Sequence, residues 1–180
     1  MKKKTTILLI GVVLLASVLT AGCTFNVGNT TPSASPTNTY TSAKGFTITY
    51  PTDWTKETNQ SGAVDVLFAL PTNNATENLN VQVLNVSASD TLSSRTDSIL
   101  AQVQNISNFT QISASNTTLA GNPAYKIVYT ANIDGNPLKL TQIWTIKDGK
   151  EYFITYKAAP NNYDTYLSAA QQMIDSFQIT

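Results

Sequence analysis

Two Asp-Gly steps, Asp134-Gly135 and Asp148-Gly149, separate long runs in which apolar and polar residues alternate. Asp-Gly supplies the positive φ that a tight hairpin turn needs, and alternation at period two marks a half-buried strand. The segment therefore reads as a meander of three strands, Ala124–Ile133, Leu138–Ile146 and Lys150–Ala158. Strands joined this closely must pair antiparallel.

Register follows from turn length. Tyr125, Ile127, Tyr129 and Ala131 share one face of the first strand, Leu138, Leu140 and Trp144 one face of the second, and Tyr152, Ile154 and Tyr156 one face of the third. A two- or four-residue loop at Asp134-Gly135 puts the first two sets on the same side. Aligning Trp144 with Tyr152 needs an odd loop at Lys147–Gly149, and a one-residue slip sends Tyr152, Ile154 and Tyr156 to the opposite face.

Upstream, Phe46–Tyr50, Val64–Leu70 and Leu79–Ser87 read as strands, the first two stopped by Pro51 and Pro71. Leu79, Val81 and Val83 lie on one face. Leu92, Ile99, Leu100, Val103 and Ile106 recur at helical spacing over Thr91–Ile106, with Asp90 as the expected N-cap. Thr110–Thr118 is a weaker strand that turns at Gly121-Asn122-Pro123. Tyr163, Tyr166, Leu167, Ala170, Met173, Ile174 and Phe177 mark a C-terminal amphipathic helix with Asn162 near its cap. The fold class is α+β, a central antiparallel sheet flanked by helices. Val128, Ile143 and Phe153 fall off the main apolar faces: either a helix covers each side of the sheet, which is the favoured arrangement, or this stripe is an exposed apolar patch.

The N-terminus carries an address. Lys2–Lys4 precede the apolar run Ile7–Leu19, whose 13 residues span about 20 Å as a helix, short of a bilayer core. This is the pattern of a signal peptide. Ala21 and Gly22 precede Cys23, the sole cysteine, in a stretch that resembles the lipobox of exported lipoproteins. The usual box has Leu at the third position before the cysteine; here Thr20 holds that place and Leu19 sits one earlier. The resemblance implies cleavage before Cys23 and its lipidation, an anchor of stable affinity because two acyl chains act together. Residues 1–22 are then a lipoprotein signal peptide and 23–43 the lipidated cysteine with an uncharged Thr/Ser/Pro-rich tether, leaving 44–180 as the folded domain. The expected location is the extracytoplasmic face of the cell membrane.

Seven Asn-x-Ser/Thr sequons occur, at Asn29, Asn59, Asn74, Asn85, Asn105, Asn108 and Asn116. With 17 Asn and 42 Ser+Thr, chance supplies about four. Two readings stay open, compositional chance and an exported glycoprotein, for instance of an archaeon.

Composition excludes most chemistry. Without its three leader lysines the chain carries 8 cations against 11 anions, so it presents no basic footprint for nucleic acid. It has no histidine, and one cysteine makes no intramolecular disulfide. Cys/His metal sites and His general bases are therefore absent. No Gly-x-Ser-x-Gly elbow and no phosphate-binding glycine loop occurs. The carboxylate pairs Asp53/Glu57 and Asp148/Glu151 read as solvated surface, and Asp134-Gly135-Asn136 lacks the later ligands of a calcium loop. Trp54 and Trp144 read as core side chains. No catalytic residue, metal ligand or cofactor is expected.

GFTITYPTDW (Gly45–Trp54), LAGNPAYKIVY (Leu119–Tyr129), the meander with its Asp-Gly turns, and MIDSFQI (Met173–Ile179) resemble the PsbP-like family, named for an extrinsic photosystem subunit. The resemblance runs from about Lys44 to the end. It implies an α/β/α sandwich, and many prokaryotic members are exported lipoproteins. The family looks like an adaptor fold: it includes a photosystem assembly subunit, is similar to a Ran-binding nuclear-transport protein, and has no shared active site. A metal-site histidine of the photosynthetic members has no counterpart here, so no ligands carry over. The expected function is that of a non-enzymatic lipid-anchored surface protein binding or helping assemble other envelope proteins. The alternative is a solute- or glycan-binding lipoprotein with a cleft at Tyr125, Tyr152 or Tyr156.

Overall fold

The computed structural model describes residues 36–58, 64–71 and 76–180. The leader, Cys23, the tether up to residue 35, and Asn29, Asn59 and Asn74 lie outside the described residues. The elements run β1 (Thr37–Ser42), β2 (Phe46–Pro51), β3 (Thr55–Glu57), β4 (Val66–Ala69), β5 (Asn78–Asn85), α1 (Leu92–Val103), β6 (Thr110–Leu119), β7 (Asn122–Ile133), β8 (Asn136–Lys147), β9 (Lys150–Ala158), α2 (Pro160–Asp175) and β10 (Gln178–Ile179). Seven strands form one antiparallel sheet in the order β3-β4-β5-β9-β8-β7-β6, and β1-β2-β10 form a second.

The α+β expectation holds, with two corrections near the N-terminal edge. Thr37–Ser42, placed in the tether, is a strand paired along its whole length with β2. Its local composition is that of a linker; pairing with Phe46–Pro51 and the packing of Tyr40 on Phe46 and Phe68 recruit it. Thr55–Glu57, too short and polar to show a pattern, is the edge strand beside β4.

All three meander turns contain two residues. Ala120-Gly121, Asp134-Gly135 and Asp148-Gly149 each have positive φ at both positions, the geometry that matches the twist of the flanking strands. Asn122 and Pro123, expected in the first turn, already belong to β7. At Asp148-Gly149 the two-residue turn sets Trp144 opposite Phe153 and Ile143 opposite Ile154. Tyr152, Ile154 and Tyr156 therefore face away from Trp144, and Phe153 joins Trp144, stacked at 5.4 Å between centroids. The sheet has two apolar faces in place of one.

Each face has its own core. On one side Trp144, Ile127, Tyr129, Leu138 and Leu140 pack with Ile99 and Val103 of α1. On the other, Leu79, Val81, Val83, Ile143, Tyr152, Ile154 and Tyr156 pack with Ala170, Met173 and Ile174 of α2 and with Phe46 and Ile48 of β2. Trp54 and Trp144 are both buried. Burying such aromatic and branched side chains removes much apolar area from water, at about 25 cal/mol per Å².

Helix ends correct two sequence expectations. The α1 N-cap is Thr91, which forms a reciprocal capping box with Ser94; Asp90 accepts from the Ser87 amide in the preceding turn. Helix α2 starts at Pro160 after Ala159, which offers no side-chain cap. Proline at the first helical position needs no amide partner. Asn162 sits inside the helix and donates its carboxamide to Glu77 at 2.8 Å.

Candidate binding groove

Helix α2 lies over β8 and β9 and leaves the outer part of the same sheet face open. The result is a groove of about 630 Å³ between α2 and strands β6–β8. Alternation puts Lys126 and Val128 of β7 and Lys139 and Thr141 of β8 on its sheet side, while Tyr163, Asp164, Leu167, Gln171 and Asp175 line the helix side. Ile112 closes one end and is 54% exposed. A more polar hollow of about 340 Å³ shares Lys126, Gln171 and Asp175 and continues toward the Ala120-Gly121 turn.

Four interactions fix the groove walls. Thr141 and Tyr163 are joined by a hydrogen bond between their hydroxyls. Lys139 pairs with Asp164 at 3.1 Å and rests over the Tyr163 ring at 4.1 Å. Tyr156 donates to the Tyr163 carbonyl at 2.8 Å, tying β9 to the first turn of α2. Burial raises the Tyr163 phenol above its ordinary value, with the Thr141 hydrogen bond and the Lys139 charge opposing. The Lys126 side chain makes no ion pair or hydrogen bond among the described residues.

The groove holds lysines, carboxylates, hydroxyls and amides, and among the described residues no group of three or more His, Cys, Asp or Glu gathers to hold a metal ion. Ile112, Val128 and Leu167 give it apolar surface beside these polar and charged groups. No described helix is long and apolar enough to cross a membrane.

The sequence-derived sites fare unequally. Asp53, Glu57 and Asp148 are exposed, but Glu151 is buried, with Arg95 donating from Nε and Nη2 to its two oxygens. A carboxylate removed from water requires such compensation. The expected tyrosine cleft does not form, because Tyr152 and Tyr156 are packed inside the core and Tyr125 leans on Trp144 at 5.4 Å. None of the three lines a described cavity. The groove went unforeseen; its traces in the sequence were Val128 on the off-face of β7 and Leu167 on the apolar stripe of α2. Ile143, Val128's companion there, is covered by α2, whereas Val128 is only half-buried. Asn85, Asn105, Asn108 and Asn116 are all exposed, and Asn105 donates its side-chain amide to the Ala101 carbonyl at 2.7 Å.

An antiparallel sheet sandwiched between a helix on one face and a helix with a small second sheet on the other is an α/β/α sandwich. The chain belongs to the PsbP-like family, whose sequence profile, described as PsbP-like protein, matches residues 6–179. No curated protein matches the chain significantly. Among solved structures it is similar to cyanobacterial PsbP (CyanoP) from Synechocystis sp. PCC 6803, with TM-score 0.62, 21% identity, and coverage of 89% of this chain and 99% of that one. It is also similar to LpqN of Mycobacterium tuberculosis, described as involved in cell envelope biogenesis, with TM-score 0.59, 14% identity, and coverage of 82% and 87%. A Pseudomonas aeruginosa protein, PA94, follows with TM-score 0.51 and 12% identity over 76% of this chain and 92% of that one. At these identities the likeness concerns the fold.

Proposed function

We propose that this chain is a non-enzymatic, lipid-anchored surface protein whose PsbP-like domain binds or helps assemble other envelope proteins. The observation that carries this reading is the groove between α2 and the outer strands, where Ile112, Val128 and Leu167 lie beside Lys126 and Lys139. Cys23, at the end of a signal-like leader, is the proposed attachment point to the membrane. The description of LpqN as an envelope-biogenesis protein on a similar fold supports the same direction. Exposed sequons at Asn85, Asn105, Asn108 and Asn116 are the proposed glycan sites, and an intact mass without any glycan increment overturns that part.

In-cell cross-linking with mass spectrometry tests the main reading. The expected result is at least one reproducible protein neighbour, linked through groove lysines Lys126 or Lys139. Absence of every reproducible neighbour overturns it. A second reading, solute or glycan binding, is favoured by the groove's volume, which falls within the range of small-molecule sites. Native mass spectrometry of protein purified from membranes, showing a retained small molecule, selects that reading.

A further inference from the structure

The large sheet ends in two unlike edges. At one end β3 has three residues and carries Lys56 and Glu57, the short, charged edge that resists pairing. At the other, β6 runs ten residues with no charge and no proline, and no described strand lies on its outward side. A bulge at Ile112 interrupts the register between Gln111 and Ser113, leaving Ser113–Leu119 as the regular stretch of open edge.

That edge adjoins the groove through its cross-strand rows. Ser113 pairs with Val128 and Val128 with Thr141; Ser115 pairs with Lys126 and Lys126 with Ile143. Residues opposite one another share a face, so both rows run from the edge into the groove. A further strand would lie about 4.8 Å beyond β6, placing its residue opposite Ser115 about 10 Å from the Lys126 backbone. Lysine and glutamate side chains together span that gap. The neighbouring cation is committed elsewhere, Lys139 to Asp164, and the Asp175 carboxylate accepts from Gln171 at 2.8 Å. Lys126 is the half-buried charge left for an incoming partner to neutralise.

We infer that the partner of this domain presents an extended segment that adds antiparallel to β6, with an acidic residue opposite Ser115 for Lys126 and, two residues later, an apolar residue opposite Ser113 against Ile112 and Val128. Backbone pairing supplies affinity and the alternate side chains supply selectivity. This assignment rests on the reading that the domain binds an envelope protein. Antiparallel pairing matches every strand pair already in the sheet and is the commoner arrangement.

The test uses the full chain in detergent and a fluorescent ten-residue peptide of alternating Thr and Val, with a central Glu and an Ile two residues after it. A control peptide has Lys in place of Glu. Anisotropy should show the Glu peptide binding about ten-fold more tightly at low salt, the effect of one close interfacial charge pair. Lys126→Ala should erase the preference between peptides. Ser115→Asp, which supplies an anion to Lys126 from within the chain, should weaken the Glu peptide about ten-fold as well. Hydrogen exchange should slow at amides of residues 113–119. Equal affinity for both peptides, no binding, or protection elsewhere overturns the proposal. So does concentration-dependent self-association with β6 already protected, which gives the edge to a second copy. If Ser115→Asp leaves the in-cell neighbours unchanged, the edge assignment fails while protein binding stands. If no neighbour exists at all, the underlying reading fails whatever the peptide does.

Discussion

Arg95 on α1 grips Glu151 at the start of β9 with two hydrogen bonds, Nε to Oε1 at 3.2 Å and Nη2 to Oε2 at 2.8 Å. The Glu151 side chain is 1% exposed and that of Arg95 is 29% exposed. The pair fastens the helix to the sheet, and the carboxylate raises the Arg95 pKa, chiefly through the hydrogen bond. Removing only the cation leaves a buried charge uncompensated, so Arg95→Ala should cost about 3–5 kcal/mol in urea unfolding. Replacing both partners by Met and Leu should recover most of that loss. A single-variant cost below about 1 kcal/mol would show that water takes over the role of the guanidinium.

Phe177, just past the Ser176 cap of α2, stacks on Phe46 of β2 at 5.2 Å and meets Tyr152 edge-on at 6.1 Å. It is the wedge between the small sheet and the large one. Phe177→Ala should destabilise by about 3–5 kcal/mol, measured as a shift in denaturation midpoint without change in slope.

Ser176 joins β2 to the end of α2 by hydrogen bonds. Its hydroxyl accepts from the Thr49 amide at 2.9 Å and donates to the Met173 carbonyl at 2.7 Å. Ser176→Ala strands the Thr49 donor and should cost about 1–2 kcal/mol, while Ser176→Thr should keep most of it. Equal losses for both variants would point to packing in place of the hydroxyl.

Alkaline pH should unfold the domain through its buried phenols. Burial raises Tyr129 from the ordinary 10.0 to about 12, and Tyr152, Tyr156 and Tyr163 are shifted the same way. Above pH 10 the unfolded chain releases protons that the folded chain still holds, so ionisation favours unfolding. The stability these tyrosines contribute is complete below about pH 10 and is lost as pH climbs toward 12. Denaturation midpoints that stay flat across this interval, with phenolate absorbance rising in the native state, would contradict the assignment of these tyrosines to the core.

Local pattern carried much of the architecture. The bounds of β9 match its alternating run from Lys150 to Ala158, the Asp-Gly turns fall where positive φ is least costly, and Leu79, Val81 and Val83 line one buried face. Other features had no local signature. Thr37–Ser42 looks like tether until β2 pairs with it, and Glu151 looks like surface until Arg95 arrives from a helix 56 positions earlier in the chain.

The amino-acid sequence by itself determined the long strands of the meander, the two helices, the Asp-Gly reversals, and that no histidine or thiol pair is present for catalysis or metal binding. Tertiary structure decided the rest: that Tyr152 faces α2 and Phe153 faces α1, and that α2 stops short of Val128 to leave a groove. The physical reason is that alternation has period two. It fixes the two faces of a strand but not which neighbour each face meets, and that choice is made only when turn register and distant helices bury one set of side chains on each side.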